Sequence, residues 1–287
     1  RRDGEQRAQA AASAHAARIL NRLERDLFPW LGVRPVAEIS ARDFLACLHR
    51  IEERGALVTA RRALQNCSQI MRYAVSSGRA DRDSTSDLRG ALKPVEERHF
   101  AAITDPKQVG GLLRAIDGFQ GTFVVQCALK VAPLVFVRPG ELRKAKWADM
   151  DLDFGEWRFD VTKTKTQHIV PLSRQVIDIL RELHPLTDQS EFIFPSGRGF
   201  ERPMSDNAIL AALRRMGIDK SEMCGHGFRA MARTILDEVL NFPVHLIEHQ
   251  LAHSVRDTNG RAYNRTAHLP QRRKMMQAWA DYLDGLK

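Results

Sequence analysis

The stretch HGFRAMARTILDEVLNFPVHLIEHQLAH, from His226 to His253, carries cationic side chains at the ends of two predicted helices. Apolar residues at helical spacing in GFRAMARTILDEVL and in PVHLIEHQLAH predict both helices. His226 and Arg229 are three residues apart, so on a helix they project from one face and can address a single ligand group. Gly225 and Gly227 flank the histidine, and glycine lets a second backbone come close. A purely structural role for the histidine is an alternative of similar weight.

A further candidate cation lies in the motif VRPGEL. Pro139 fits the first position of a helix and puts Arg138 at the cap, where unpaired backbone N–H groups and the helix dipole favour an anion. The guanidinium of Arg138 suits the paired oxygens of a phosphate better than a lysine would. Glu141 is close enough to orient it. Taken alone, the motif also fits an ordinary surface ion pair between Arg138 and Glu141.

Between these motifs the apolar pattern changes from helical spacing to period two. EWRFDV and QHIVPL flank TKTKT, which is the signature of a short antiparallel pair of strands. Lys163 and Lys165 lie on the turn of this hairpin. Helices return after Pro171, so we predict one small sheet within a mostly helical domain.

Tyr263 follows His253 by ten residues, in the polar segment RDTNGRAYNRT. Three arginines surround it in sequence: Arg256, Arg261 and Arg265. The chain has 3 tyrosines, of which Tyr73 lies in an apolar predicted helix and Tyr282 lies near the C-terminus. A phenol among cations suits a tyrosine that is presented to phosphate, and the preceding motifs supply the cations that phosphoryl transfer to Tyr263 would need.

Length and charge limit the class of protein. The 287 residues favour two domains, and a net charge of +9 with a pI of about 9.7 favours a polyanionic partner. No apolar run approaches the roughly 20 residues of a membrane span, and no signal-peptide pattern opens the chain, so we expect an intracellular protein.

The start at Arg1 indicates that an N-terminal part has been removed. The cysteines lack a CxxC pair and are expected to be reduced and mostly buried: Cys47, Cys67, Cys127 and Cys224.

The first third of the chain is predicted to be wholly helical. Apolar spacing in AHAARILNRLERDLF predicts a helix that ends at Pro29. Ser40 is a plausible N-cap for ARDFLACLHRIEER, which Gly55 terminates. A third helix is predicted from about Thr59 to Gly78.

A change in composition predicts the domain boundary. DRDSTSDLRGALKPVEERH is polar and lacks periodicity, which indicates a linker, and Asp105 and Pro106 then begin a new helix. We predict a helical domain over residues 1–95, a linker over 96–103 and a mixed α+β domain over 104–287. The fold class is therefore mainly α with a small antiparallel β-sheet.

A competing motif lies in PVHLIEHQLAH. His245, Glu248 and His249 spell HxxEH, a pattern of zinc metalloproteases in which two histidines bind the metal and the glutamate activates water. A third ligand would have to come from the 38 residues after His249, which contain Asp257, Asp281 and Asp284. Metalloprotease chemistry explains neither the basic charge nor HGFR, so this alternative is weak.

The motifs VRPGEL, TKTKTQHIVPL, HGFR, QLAH and GRAYNR, in that order, resemble those of the tyrosine recombinases. The match covers nearly the whole chain, and LERDLFPWLGVRPVAEISARDF is similar to integrases of prophages and genomic islands. The resemblance implies a helical core-binding domain followed by a catalytic domain. Two departures stand out: His253 and Tyr263 are ten residues apart where many relatives have nine, and Phe136 replaces a small residue.

The resemblance implies that Tyr263 attacks the scissile phosphate and forms a 3′-phosphotyrosyl intermediate with a free 5′ hydroxyl. Arg138 and Arg229 would bind the nonbridging oxygens. Lys163 would protonate the leaving oxygen, with Lys165 as the second choice. The phosphotyrosyl ester would store the energy of the broken bond, so we expect that the reaction needs no cofactor, neither ATP nor metal.

The two histidines complete the implied site. His226 would assist proton transfer to and from the tyrosine, and His253 would hydrogen-bond the phosphate. Glu141 would support Arg138.

The implied function is site-specific DNA recombination for integration or excision of a mobile element. The implied DNA partners are double-stranded attachment sites. On DNA the protein is expected to form a homotetramer, and without DNA it can be a monomer. Accessory DNA-bending or directionality proteins are further implied partners. The expected location is the cytoplasm of a bacterium, at the nucleoid. A type IB topoisomerase and a DNA-binding module without activity are the alternatives. Packing of the C-terminal helix in cis or on a neighbouring subunit stays open.

Overall fold

Apolar faces of short helices build the first of the two units into which the chain divides, Arg1–Arg98 and His99–Lys287. The computed structural model describes residues 16–96, 100–161, 166–253 and 268–287. The described helices of the first unit are α1 (16–26), α2 (Phe28–Leu31), α3 (Ala41–Glu53) and α4 (Leu57–Ser76). The prediction that this region is helical is confirmed.

Local sequence signals explain where these helices begin. Ser40 and Asp43 form a reciprocal capping box at the start of α3. The prediction for Pro29 is wrong, because α1 stops at residue 26 and Pro29 lies in the first turn of α2. A proline there loses no helical hydrogen bond, since the first N–H groups of a helix have no partner within it.

The polar stretch after α4 is part of the first unit instead of a linker along its whole length. Residues Ser84–Leu88 form a 3₁₀ turn in which Leu88 joins the apolar core. The Ser84 hydroxyl donates to the carbonyl of Ile39 at 3.0 Å, and Asp83 caps the turn. Three buried residues in a single short turn leave no periodic pattern in the sequence, which is why composition misled the prediction.

The second unit contains the larger core. Its described helices are α5 (Pro106–Asp117), α6 (Phe123–Val135), α7 (Pro139–Leu142), α8 (Arg174–Thr187), α9 (Ala208–Arg215), α10 (Gly227–Glu238), α11 (Val244–Gln250) and α12 (Leu269–Leu286). Helix α6 is largely buried and its sequence is mostly apolar. Helix α12 packs within its own unit, and its apolar stripe is fully buried: Met275, Met276, Trp279 and Leu283.

Two small antiparallel sheets appear in the described part of the second unit. The first has the order β1 (Met150–Asp151), β2 (Glu156–Asp160) and β3 (Gln167–Pro171), with Trp157 opposite Val170. The β2–β3 pair is the predicted hairpin. The second sheet pairs β4 (Pro195–Ser196) with β5 (Gly199–Pro203), so the prediction of one sheet was incomplete.

The structure also describes the cysteines and the lengths of the apolar helices. Cys47, Cys67 and Cys127 are buried free thiols, and Cys224 is partly buried. Among the described residues, no helix combines the length and apolarity that crossing a bilayer requires.

Candidate active site

Arg138 is the N-cap of α7, as the proline after it predicts. Glu141 accepts from the backbone N–H of Arg138 at 3.0 Å and from its Nη1 at 2.9 Å. The Glu141 side chain is only 4% exposed, whereas that of Arg138 is 23% exposed. The pair is therefore not an ordinary surface ion pair, since a buried carboxylate holds an arginine that still reaches solvent.

Arg229 lies in the first turn of α10, and its guanidinium is held by backbone carbonyls. Nη1 donates to the carbonyl of Phe136 at 3.1 Å, and Nη2 donates to that of Leu251 at 2.7 Å. Burial, together with the charge of Arg138, lowers the pKa of Arg229 to about 10. The guanidinium remains charged at neutral pH.

The two arginines meet at the segment that follows α11. Arg138 Nη2 donates to the carbonyl of Ala252 at 3.3 Å, next to the Leu251 carbonyl that Arg229 binds. Arg229 Nη2 also lies 3.1 Å from His253 Nε2. Three consecutive residues thus hold two neighbouring cations, which an anion would stabilise.

His226 is the N-cap of α10 and stacks on Phe100, with ring centroids 4.5 Å apart. Burial lowers the pKa of His226, and the charges of Arg229 and Arg138 act in the same direction. The imidazole is therefore neutral at neutral pH. Gly227 follows it, and a Cβ there would meet the carbonyl oxygen of Ala101 at 2.4 Å, so the close approach expected for this glycine is present.

His253 lies just after α11, between two charged groups. Its Nδ1 is 2.5 Å from Glu248 Oε2, and its Nε2 faces Arg229. Arg233 Nε donates to the other Glu248 oxygen at 2.7 Å. Burial by itself would raise the pKa of Glu248, but the hydrogen bonds of His253 and Arg233 outweigh it and the net shift is downward.

Glu248 and Arg233 are site residues that our sequence reasoning missed. Glu248 was considered only as part of the zinc motif, and nothing in a helical pattern distinguishes Arg233 from a solvated arginine.

A buried polar network lies next to the segment that the two arginines bind, at Gln250. The sequence carried no signal for this network. His168 Nε2 lies 3.1 Å from the carbonyl of Gln250, whose side-chain oxygen accepts from Arg272 at 2.6 Å. Burial lowers the pKa of His168 to about 3 and that of Arg272 to about 10. The network joins β3, the end of α11 and α12.

Two predicted site residues, Lys163 and Tyr263, lie outside the described residues, as does Lys165. The backbone on either side of the lysine segment is described: Val161 N donates to the carbonyl of Thr166 at 2.9 Å. The described residues thus bring together Arg138, Glu141, His226, Arg229 and His253 in one unit, and the roles of all the predicted residues stay predictions.

The zinc alternative finds little support in the geometry. Glu248, its proposed base, is bound by Arg233 and His253, while the rings of His245 and His249 face His268. The described candidates for a third ligand, Asp281 and Asp284, accept from Gln175. Within the described ranges, no group of three His, Cys, Asp or Glu side chains is placed to hold a metal ion.

Comparison with known proteins identifies the class. A sequence profile of the phage integrase family matches residues 103–269, and one of the phage integrase central domain matches residues 4–91. The chain belongs to the phage integrase family. The integrase of Enterobacteria phage P4 is 37% identical over 286 residues, which cover 94% of this chain and 65% of that protein's own length.

The fold is similar to that of lambda integrase. A lambda integrase dimer bound to a COC′ core site has a TM-score of 0.67 at 16% identity and covers 88% of this chain and 93% of that chain. A lambda integrase tetramer bound to a Holliday junction has a TM-score of 0.65 at 15% identity, with coverages of 88% and 76%.

Proposed function

We propose that this chain is the core-binding and catalytic part of a site-specific DNA recombinase that integrates or excises a mobile element. The observation that carries the proposal is that Arg138 and Arg229 both bind the segment of residues 251–253. This segment ends at His253, ten residues before Tyr263. Arg138 is held by the Glu141 carboxylate and the Ala252 carbonyl, and Arg229 by two carbonyls. The two neighbouring guanidinium groups form a site for an anion with two oxygens to bind, which is what a DNA phosphodiester presents.

In the proposed reaction the Tyr263 oxygen attacks the scissile phosphorus and the bond to the 5′ oxygen breaks. The product is a 3′-phosphotyrosyl ester and a free 5′ hydroxyl. Arg138 and Arg229 stabilise the charge that develops on the nonbridging oxygens. Their fixed bonds to Glu141, Phe136 and Leu251 mean that little reorganisation accompanies the reaction.

Proton transfers fall to the remaining groups. Lys163 donates a proton to the leaving 5′ oxygen, and the neutral imidazole of His226 accepts the proton of the tyrosine. The imidazole of His226 is neutral at neutral pH, so it has a lone pair that can accept this proton. His253 binds a nonbridging oxygen.

The partner of this site is double-stranded DNA. The solved lambda integrase dimer on a core site and tetramer on a Holliday junction support a DNA-bound multimer. We extend this to a homotetramer on two attachment sites, located at the bacterial nucleoid and directed by accessory proteins. The net charge of +9 agrees with such a partner.

A covalent-capture experiment tests the proposal. The protein is incubated with a pool of nicked duplexes that carry a randomised central segment, and DNA that stays attached under denaturing conditions is sequenced to identify the site. The wild-type protein should form an adduct, and Tyr263→Phe should form none. Tyr73→Phe and Tyr282→Phe are matched controls that should keep it. An adduct that survives Tyr263→Phe would contradict the assignment.

The recovered site then separates recombination from other reactions. Strand exchange between two duplexes that carry it supports a recombinase. Relaxation of supercoiled circles without exchange would support a type IB topoisomerase instead. Loss of adduct in the presence of a chelator would favour metal chemistry.

A further inference from the structure

Glu248 lies at the centre of a chain of contacts that ends in the arginine pair. Its carboxylate accepts from Arg233 through Oε1 and contacts His253 Nδ1 through Oε2, at 2.7 and 2.5 Å. The backbone repeats the second link, since His253 N donates to the Glu248 carbonyl at 3.1 Å. The Glu248 side chain is 25% exposed, so its contacts are only partly screened by water.

The two contacts of the His253 ring determine where its proton lies. A guanidinium can only donate hydrogen bonds, so the contact from Arg229 Nη2 at 3.1 Å requires a lone pair on His253 Nε2. A neutral ring with a free Nε2 carries its proton on Nδ1. Nδ1 therefore donates to Glu248, and the neutral ring is the Nδ1–H tautomer.

We propose that Glu248 is a positioning residue that holds His253 with Nε2 turned toward the arginine pair. The inference rests on the proposed function and deepens it. Arg233 keeps the carboxylate in place, because its Nε donates to the other Glu248 oxygen at 2.7 Å. A ring that is occupied at Nδ1 has only Nε2 left to meet a phosphate oxygen.

Phosphate binding completes the arrangement. The phosphate takes over the Nη2 donor of Arg229, and Nε2 of His253, whose side chain is 49% exposed, takes up a proton from solvent. Nε2–H then donates to a nonbridging oxygen. The Glu248 carboxylate stays on Nδ1–H and balances the charge of the imidazolium, as the outer partners of site histidines do.

Nitrogen-15 spectra of the histidine rings test the tautomer without DNA. His253 signals are assigned by their loss in His253→Asn. The wild-type protein at pH 8 should show a protonated Nδ1 and an unprotonated Nε2. Glu248→Ala should lose this pattern, and Glu248→Met, which keeps the volume but not the acceptor, should lose it as well if the alanine variant folds poorly. An unchanged His253 pattern in the folded variants would overturn the inference.

Asp237→Ala is the matched control, because it also removes a carboxylate from Arg233 but does not contact His253. It should leave the His253 pattern intact. Equal changes in both variants would mean that Glu248 acts only through the stability of the helices, and this would also overturn the inference.

Adduct formation links the tautomer to the reaction. Glu248→Ala should form the Tyr263 adduct about 10–100-fold more slowly than the wild-type protein, while Asp237→Ala should change the rate by less than about threefold. Wild-type rates in Glu248→Ala would overturn the positioning role. A wild-type protein that forms no adduct would contradict the proposed function, and the ring-nitrogen spectra would still decide the assignment of Glu248.

Discussion

The guanidinium of Arg229 donates through Nη1 to the carbonyl oxygen of Phe136, 3.1 Å away. Phe136 presents that carbonyl from a left-handed backbone conformation, with φ of 37°. This conformation costs a residue with a Cβ roughly 1–2 kcal/mol. The Phe136 ring is fully buried and meets the ring of Trp279 edge-on, with centroids 6.1 Å apart. Side-chain packing therefore offsets the strain that aims the carbonyl at the site.

At Phe136 a glycine variant should be more stable than an alanine variant, which is the reverse of the usual order of stability. Both Phe136→Gly and Phe136→Ala lose the packing of a buried ring, at about 3–5 kcal/mol. The glycine variant should nevertheless be about 1 kcal/mol more stable than the alanine variant, because it adopts the left-handed conformation without strain. Urea unfolding measures the difference. The control is the buried Phe228 in α10, where alanine should be the more stable; the same order at both positions would contradict the strain at Phe136.

Gly227→Ala should disturb the site, because its Cβ would lie 2.4 Å from the Ala101 carbonyl oxygen, a backbone atom that cannot move freely. We expect a loss of about 1–3 kcal/mol in unfolding free energy. Gly140→Ala is the matched control, since nothing lies within 4 Å of its Cβ. It should be neutral or stabilising by up to about 1 kcal/mol. A Gly227→Ala protein as stable as Gly140→Ala would show that the close approach is absent.

His168 should make the protein sensitive to acid. Burial lowers its pKa to about 3 from an ordinary value near 6.5, so between these pH values the unfolded chain binds a proton that the folded protein does not. Stability from this group is therefore full above pH 6.5 and falls by about 1.4 kcal/mol for each pH unit below it, until pH approaches 3.

Urea unfolding of His168→Gln at several pH values measures this contribution. The variant should lose less stability than the wild-type protein between pH 6.5 and 4.5. The exposed His184 provides the control, and His184→Gln should keep the wild-type slope. Parallel pH curves for wild-type protein and His168→Gln would rule out the buried neutral histidine.

Arg229→Lys should slow adduct formation on the order of 100–1,000-fold, the usual cost of losing a preorganised donor. A lysine offers a point charge that cannot bind the Phe136 and Leu251 carbonyls and a phosphate together. Arg214 is the matched control, because it also donates to two backbone carbonyls, those of Ile218 and Met223. Arg214→Lys should cost stability without a comparable loss of adduct rate; equal losses would indicate that Arg229 acts only in folding.

Local signals in the sequence were enough for much of the fold. The capping box of Ser40, the cap at Arg138 and the period-two hairpin are each set by residues a few positions apart, and the structure confirms them. The missed features are short or polar: the 3₁₀ turn at Ser84–Leu88 and the β4–β5 sheet bury too few residues to leave a periodic pattern.

The sequence by itself determined the types of the predicted site residues and the order of their motifs. Only the tertiary structure decided which groups bind and orient those site residues that the structure describes. Arg229 binds a carbonyl 93 residues away and Arg138 one that is 114 residues away, and the chain alone does not reveal such partners. Backbone carbonyls are present at every residue, so sequence cannot indicate which of them an arginine will meet. That choice follows from how α6, α10 and α11 pack, which is a property of the whole core.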